Sequence, residues 1–242
     1  MRKSWMHLLN QVATQRPELL LLTGDQGYGL VESFEMAHPT RFISLGLADQ
    51  ALAGVAAGLA SEGQRVVLHA GRQGARLLPA LRELLPGQSV IVVETDSNEP
   101  LPHQLPGWLL ATPACPQELL ASLRQLLARG EPSWLRLGPD GTQPLRGASP
   151  TVQLGQWVPL RAEAAPARTA LLGSGTGLAR TRPLAPQATH FSLPLWGEPA
   201  APFQAEQIAR FDELFVTRED GLADWMLRVA ADAGLGGRVH PV

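Results

Sequence analysis

Short apolar runs alternate with helical patterns along the first 140 residues, and this alternation constrains the fold more than any other feature. Residues 19–22 are an apolar run that ends at the turn residues Gly24 and Asp25, which is typical of a strand buried on both faces of a parallel sheet. Parallel strands need crossover connections, usually helices. The pattern therefore predicts an α/β fold with helices on both faces of a parallel sheet. The other strands predicted here are 41–45, 66–69, 89–94 and 134–137.

The helices follow from apolar residues repeated at a spacing of three and four. In this half they begin near Ser4, Asp49, Ala75 and Pro116, and residues 30–37 form a further one. The helix after Asp49 has two apolar faces of different kinds, which are Leu52, Val55, Ala56 and Leu59 on one side and Ala53, Gly54, Ala57 and Gly58 on the other. The face of small residues can pack within the domain or against another chain, and the sequence leaves both open.

The chain is predicted to form two domains, at residues 1–140 and 156–242, joined by a linker at 141–155. The second, smaller α/β domain has strands at 169–172, around Phe191 and at 213–217, and a final helix that carries Leu222, Trp225, Met226 and Val229. Its first strand ends in three glycines at alternate positions, 173–177. These glycines fit a tight strand-to-helix turn better than a phosphate-binding loop, because the spacing of a dinucleotide fingerprint is absent.

Composition excludes several classes of function. The net charge is −2 with no long run of one sign, so neither a nucleic acid nor an anionic membrane is an expected partner. Cys115 is the only cysteine and the six histidines lack ligand spacing, so no metal site is predicted. Residues 1–15 lack the continuous apolar stretch that a signal peptide needs, and no apolar run of 18 residues occurs, so no signal peptide and a cytoplasmic location are expected.

Four segments resemble, in order, the pyrimidine-binding domain of the transketolase family. They are residues 22–29 (Leu-Thr-Gly-Asp-Gln-Gly-Tyr-Gly), 39–43 (Pro-Thr-Arg-Phe-Ile), 46–50 (Gly-Leu-Ala-Asp-Gln) and 54–60 (Gly-Val-Ala-Ala-Gly-Leu-Ala). Residues 217–221 resemble the family's C-terminal domain more weakly. The resemblance implies a three-layer pyrimidine-binding domain with a parallel sheet, followed by a smaller C-terminal-like domain.

The resemblance also implies an activating acid. In the family, a glutamate at the fourth position of the third segment hydrogen-bonds the aminopyrimidine of thiamine diphosphate and helps to form the carbanion nucleophile. Here that position is Asp49, whose side chain is shorter than that of glutamate by one methylene, about 1.5 Å. A misplacement of a catalytic group by about 1 Å can lower the rate on the order of a hundredfold. The alternative is that Asp49 is a helix N-cap, and both roles can hold together.

Three further residues are implied in the site. Asp25 matches an acidic residue that approaches the cofactor, with a turn or cap role as its alternative. His103 resembles a histidine that faces the substrate, although an exposed loop histidine explains it as well. Gln73 aligns near the position of an aromatic ring that stacks on the pyrimidine, and no aromatic residue lies between His69 and Gly74. Loss of that ring would weaken cofactor binding by about 1 kcal/mol.

The family's diphosphate- and magnesium-binding motif, Gly-Asp-Gly followed by an asparagine, is not found in this sequence. The family's active site forms between two chains, and split transketolases carry that motif on a separate subunit. The resemblance therefore implies the other subunit of a split enzyme that transfers a two-carbon ketol or acyl unit, in a heterotetramer with an N-terminal-like partner. The alternative is a degenerate paralogue that acts as a scaffold or regulator of an active partner.

Overall fold

The computed structural model describes residues 1–27, 29–95, 101, 105–138, 150–160, 168–175, 177–178 and 187–242, with the backbone alone at residues 2 and 3. The chain divides into two compact units. One combines Met1–Glu99 with Leu126–Gly141, and the other combines Pro100–Gln125 with Thr142–Val242. The domain boundaries expected from the sequence stay a prediction.

The α/β class is confirmed. The helices are α1 (Arg2–Gln15), α2 (Glu32–Ala37), α3 (Leu52–Ser61), α4 (Gly74–Leu84), α5 (Pro116–Ala128), α6 (Gln204–Ala209) and α7 (Leu222–Asp232). The strands are β1 (Leu19–Thr23), β2 (Phe42–Ser44), β3 (Arg65–Gly71), β4 (Val90–Thr95), β5 (Leu109–Ala111), β6 (Ser133–Leu137), β7 (Val158–Pro159), β8 (Thr169–Gly173), β9 (Thr189–Ser192), β10 (Leu195–Trp196), β11 (Glu213–Val216) and β12 (Val239–Pro241). Four short strands, β5, β7, β10 and β12, were not predicted, because two or three residues show no periodicity.

In the first unit, five parallel strands lie in the order β6-β4-β3-β1-β2. The three inner strands are apolar because helices and neighbouring strands cover them, and Leu21, Leu22 and Leu68 have no exposed surface. This order places the carboxyl ends of all five strands along one edge of the sheet. Ligand sites of open parallel sheets lie at this edge.

The second unit holds a sheet in the order β12-β11-β8-β9-β7, which is parallel except at β7, and an antiparallel pair of β5 and β10. A buried glutamine ties the chain at residue 155 to α6. Gln204 accepts a hydrogen bond from Trp157 Nε1 at 2.8 Å and donates to the carbonyls of Gly155 and Ala200 at 2.9 and 3.1 Å. All the polar atoms of this buried amide are therefore engaged.

The face of small residues on α3 is divided by the fold. Ala53 is buried within the unit, whereas Gly54 and Gly58 are exposed and a Cβ added at either would meet nothing within 4 Å. Among the residues described, nothing covers these two glycines. No described helix has both the length and the apolar composition of a membrane span.

Replacing Gly58 with alanine should stabilise the isolated chain by about 0.5–1 kcal/mol, because a helical glycine loses more backbone entropy than alanine on folding and the added methyl has space. The matched control is Gly74→Ala. Its Cβ would lie 2.6 Å from Cζ2 of Trp134 and 3.0 Å from Glu94 Oε1, so crowding should cost about 1–3 kcal/mol. Urea unfolding of both variants measures the difference, and a change of the same sign in both would contradict it.

Candidate active site

The carboxylate of Asp49 lies against the end of β1. A Cβ built on Gly24, the residue after β1, would be 2.1 Å from Oδ1 of Asp49 and 3.3 Å from its Cγ. The side chain is half-buried, and it makes no hydrogen bond to another residue in the part of the chain that the structure describes. The fold thus holds a carboxylate against Gly24 at the carboxyl edge of the sheet, with no hydrogen bond to it from the described residues.

The side chain of Asp49 does not cap α3. Residues Asp49–Ala51 form a 3-10 turn, α3 begins at Leu52, and its N-cap is Ala51, with no hydrogen bond from a side chain. The structure therefore does not support the N-cap alternative. The main-chain carbonyl of Asp49 still accepts a hydrogen bond from Leu52 N, so the backbone contributes to the helix start while the carboxyl group stays available.

Asp25 lies on the other side of Gly24 and is exposed at the start of a 3-10 turn, Asp25–Gly27. It lines a cleft of about 250 Å³ at the carboxyl ends of β1 and β2. The other lining residues are Thr23, Gly24, Gly27, Val31, Glu32, Glu35, Phe42, Ser44 and Gly46. The cleft therefore has a partly apolar wall and three carboxylates, and none of its lining residues is cationic.

Gln73 lies at the carboxyl end of β3, the strand next to β1. It is the N-cap of α4 by its main chain: its carbonyl accepts hydrogen bonds from Arg76 N and Leu77 N at 2.9 and 3.3 Å, and its side chain makes no capping bond. Gln26 covers the same strand end, because a Cβ on Gly71 would meet Cβ of Gln26 at 2.6 Å. The side chain of Gln26 thus lines the β3 end.

Asp25, Asp49 and Gln73 all lie at one edge of the first unit's sheet, and the first two adjoin the same glycine. His103 lies outside the described residues, so its role stays a prediction. Among the residues described, no group of three or more histidine, cysteine or carboxylate side chains is arranged to hold a metal ion.

Arg41, in the second segment of the resemblance, has a structural role. Its Nη1 donates hydrogen bonds to the carbonyls of Ala13 and Arg16 at 2.7 and 2.9 Å. These carbonyls lie at the C-terminal end of α1, where a cation is stabilising. Arg41 therefore fixes α1 against the start of β2, whereas Phe42 of the same segment lines the cleft.

Sequence reasoning missed a buried ionic cluster at the same sheet edge. Glu94, near the end of β4, is 1% exposed, and its Oε2 accepts hydrogen bonds from Arg136 Nε and Nη2 at 2.9 and 2.6 Å and from Trp134 Nε1 at 3.2 Å. A charged residue inside an apolar strand and an arginine two positions after a tryptophan in the next strand were the available signals. Pairing required the register of β4 against β6.

The glycine-rich turn after β8 faces carboxylates. A Cβ on Gly175 would meet Asp220 Oδ2 at 2.5 Å, and one on Gly177 would meet the Glu219 carboxylate at 2.3 Å. Asp220 and Glu219 come from the turn after the neighbouring strand β11. A bound phosphate would be repelled by them, so the structure favours the tight-turn interpretation over a phosphate loop.

The fold is that of the pyrimidine-binding and C-terminal domains of transketolases, as the sequence resemblance predicted. The chain is 17% identical in sequence to a split-gene transketolase solved as an inactive β4 tetramer, and the two structures superpose with a TM-score of 0.79. The match covers 96% of this chain and 85% of that one.

Full transketolases match as well. One from Campylobacter jejuni has 16% identity, a TM-score of 0.74 and coverage of 100% of this chain and 42% of its own. A variant from Pichia stipitis has 16% identity, a TM-score of 0.71 and coverage of 90% and 38%. The likeness at these identities is one of fold. Neither a family model nor a curated protein sequence matches the chain.

Proposed function

We propose that this chain is one subunit of a split, thiamine diphosphate-dependent transketolase-like enzyme that transfers a two-carbon ketol or acyl unit. The observation that carries the proposal is the half-buried carboxylate of Asp49, held against Gly24 and free of hydrogen bonds to the described residues. A carboxyl group kept out of internal contacts at the ligand-binding edge of a parallel sheet is available to a ligand.

The residues at this edge fit the aminopyrimidine part of the cofactor. Asp49 would hold a proton at a ring nitrogen, Asp25 would line the approach, and Gln73 would border the ring where the resemblance places a stacking aromatic. When bound, thiamine diphosphate supplies the nucleophilic carbon of the reaction. His103 is proposed as a residue that faces the substrate.

The cleft, which Asp25 lines and Asp49 and Gln73 do not, suits only part of a ligand. Its volume of about 250 Å³ is below the range of roughly 300–1,000 Å³ that holds whole small molecules, and Phe42 and Val31 give it an apolar wall. Asp25, Glu32 and Glu35 offer no counter-charge for a diphosphate. We therefore assign the diphosphate and magnesium to a second polypeptide, an N-terminal-like subunit, with two copies of each chain in a heterotetramer.

The proposal is tested by reconstitution. The chain is mixed with the diphosphate-binding subunit that we expect a neighbouring gene to encode, and association and uptake of thiamine diphosphate with magnesium are measured by calorimetry. Turnover is then assayed with ketose phosphates and 2-oxo acids as donors. We expect cofactor uptake and turnover only when both chains are present, because each supplies half of the site.

Two outcomes would contradict the proposal. Absence of both association and cofactor uptake would remove the enzymatic role. Full activity of the partner subunit without this chain would show that the residues at its sheet edge are not needed for turnover.

A further inference from the structure

A side chain at Gly24 would compete with Asp49 for space. A Cβ at residue 24 would lie 2.1 Å from Oδ1 of Asp49 and 3.3 Å from the carbonyl oxygen of Gly46. Non-bonded carbon and oxygen atoms do not approach to 2.1 Å, since their attractive contacts lie near 3.5–4.0 Å. The Asp49 carboxylate thus fills the volume that any residue other than glycine would use.

The backbone itself does not require glycine at this position. Gly24 is absent from the glycines with positive φ, whereas Gly46, in the loop after β2, has a φ of +55°. A left-handed residue would need glycine for its conformation. Alanine at residue 24 would therefore not need a left-handed backbone, and the nearest contacts of its Cβ among the described residues are with Asp49 and, less closely, with the carbonyl of Gly46.

We infer that Gly24 is a positioning residue that sets where the Asp49 carboxyl group stands at the end of β1. The inference rests on the proposed function, because it matters for turnover only if Asp49 acts there. A methyl group at residue 24 would displace the carboxylate or push the end of β1 away from it. A displacement of about 1 Å at a reacting group can lower a rate on the order of a hundredfold.

A double-mutant cycle tests the inference in the reconstituted two-chain complex. Gly24→Ala should lower kcat by roughly ten- to a hundredfold while Asp49 is present, with association of the two chains unchanged. In an Asp49→Ala background the methyl has room, so Gly24→Ala should change neither residual turnover nor folding further. Gly237→Ala is the matched control, because a Cβ there meets nothing within 4 Å, and it should leave kcat unchanged.

The folding stability of the same four variants is measured by urea unfolding of the isolated chain. With Asp49 present, Gly24→Ala should lower the equilibrium constant for folding severalfold, less than core overpacking does, because the carboxylate ends a flexible side chain that can turn aside, and this loss should vanish in the Asp49→Ala background. An equal loss in both backgrounds, or no loss of kcat with Asp49 present, would overturn the inference.

If the wild-type complex is inactive, the proposed function is contradicted, and so is the role of Gly24 in turnover. The unfolding cycle would still report whether residues 24 and 49 compete for one space. The two failures are therefore distinguishable.

Discussion

Replacing Asp49 with asparagine should lower turnover of the reconstituted complex by at least about a hundredfold, which is the lower end of what a positioned acid or base contributes. Asparagine has nearly the same shape, so it should keep the contact with Gly24, but its amide cannot give up and regain a proton as a carboxyl group does. Steady-state kinetics and calorimetry of cofactor binding should show the loss chiefly in kcat, with association of the subunits unchanged.

Two further variants serve as controls for this result. Asp232→Asn makes the same chemical change at an exposed position of the second unit and should leave turnover unchanged. Asp49→Glu keeps the carboxyl group and restores the glutamate that the resemblance places at this position, so it should retain turnover that the asparagine variant loses. Unchanged turnover in Asp49→Asn would count against a catalytic role for this residue.

Replacing Glu94 with glutamine should destabilise the isolated chain by about 1–3 kcal/mol, because it removes the charge from a buried carboxylate that accepts three hydrogen bonds. The side chain of Arg136 is only 12% exposed and that of Glu94 1%, so water cannot take over the role of the carboxylate. Trp134 Nε1 would also face a neutral and weaker acceptor. Urea unfolding measures the change.

The surface pair of Arg168 and Asp212 is the control. Their hydrogen bond lowers the pKa of the Asp212 carboxyl, yet the side chains are 84% and 50% exposed. Solvent screens such a pair, and Asp212→Asn should not change the unfolding midpoint measurably. Replacing both Glu94 and Arg136 with leucine and methionine should recover much of the loss, because an apolar pair leaves no buried charge. Equal effects of Glu94→Gln and Asp212→Asn would contradict the burial argument.

Much of the first unit could be predicted from the sequence. The five strands of its parallel sheet followed from short apolar runs, and the helices between them from the spacing of leucine and alanine. These signals are local, because the side chains of a strand repeat every two residues and those of a helix about every 3.6 residues within the same segment. The start of α3 differed by three residues, because Asp49–Ala51 form a 3-10 turn that has the same local composition as a first helical turn.

The site was predicted only in part. Asp49 and Asp25 were proposed from the resemblance of short segments, and their role in a site stays a prediction, whereas their common neighbour Gly24 was assigned only to a turn. The ion pair of Glu94 and Arg136 was not foreseen, because it joins residues 42 positions apart. The sequence also did not decide which glycines of α3 are exposed. Helical periodicity predicts which residues share a face of the helix, but not which other element packs against that face.

By itself, the sequence determined the alternation of strands and helices, and hence a parallel α/β fold, because backbone preference and apolar spacing act over a few residues. Only the tertiary structure decided that the Asp49 carboxylate lies on Gly24 and does not cap α3, and that Glu94 is matched by a charge from the next strand. Those contacts depend on strand order and register, which bring together residues far apart in the chain.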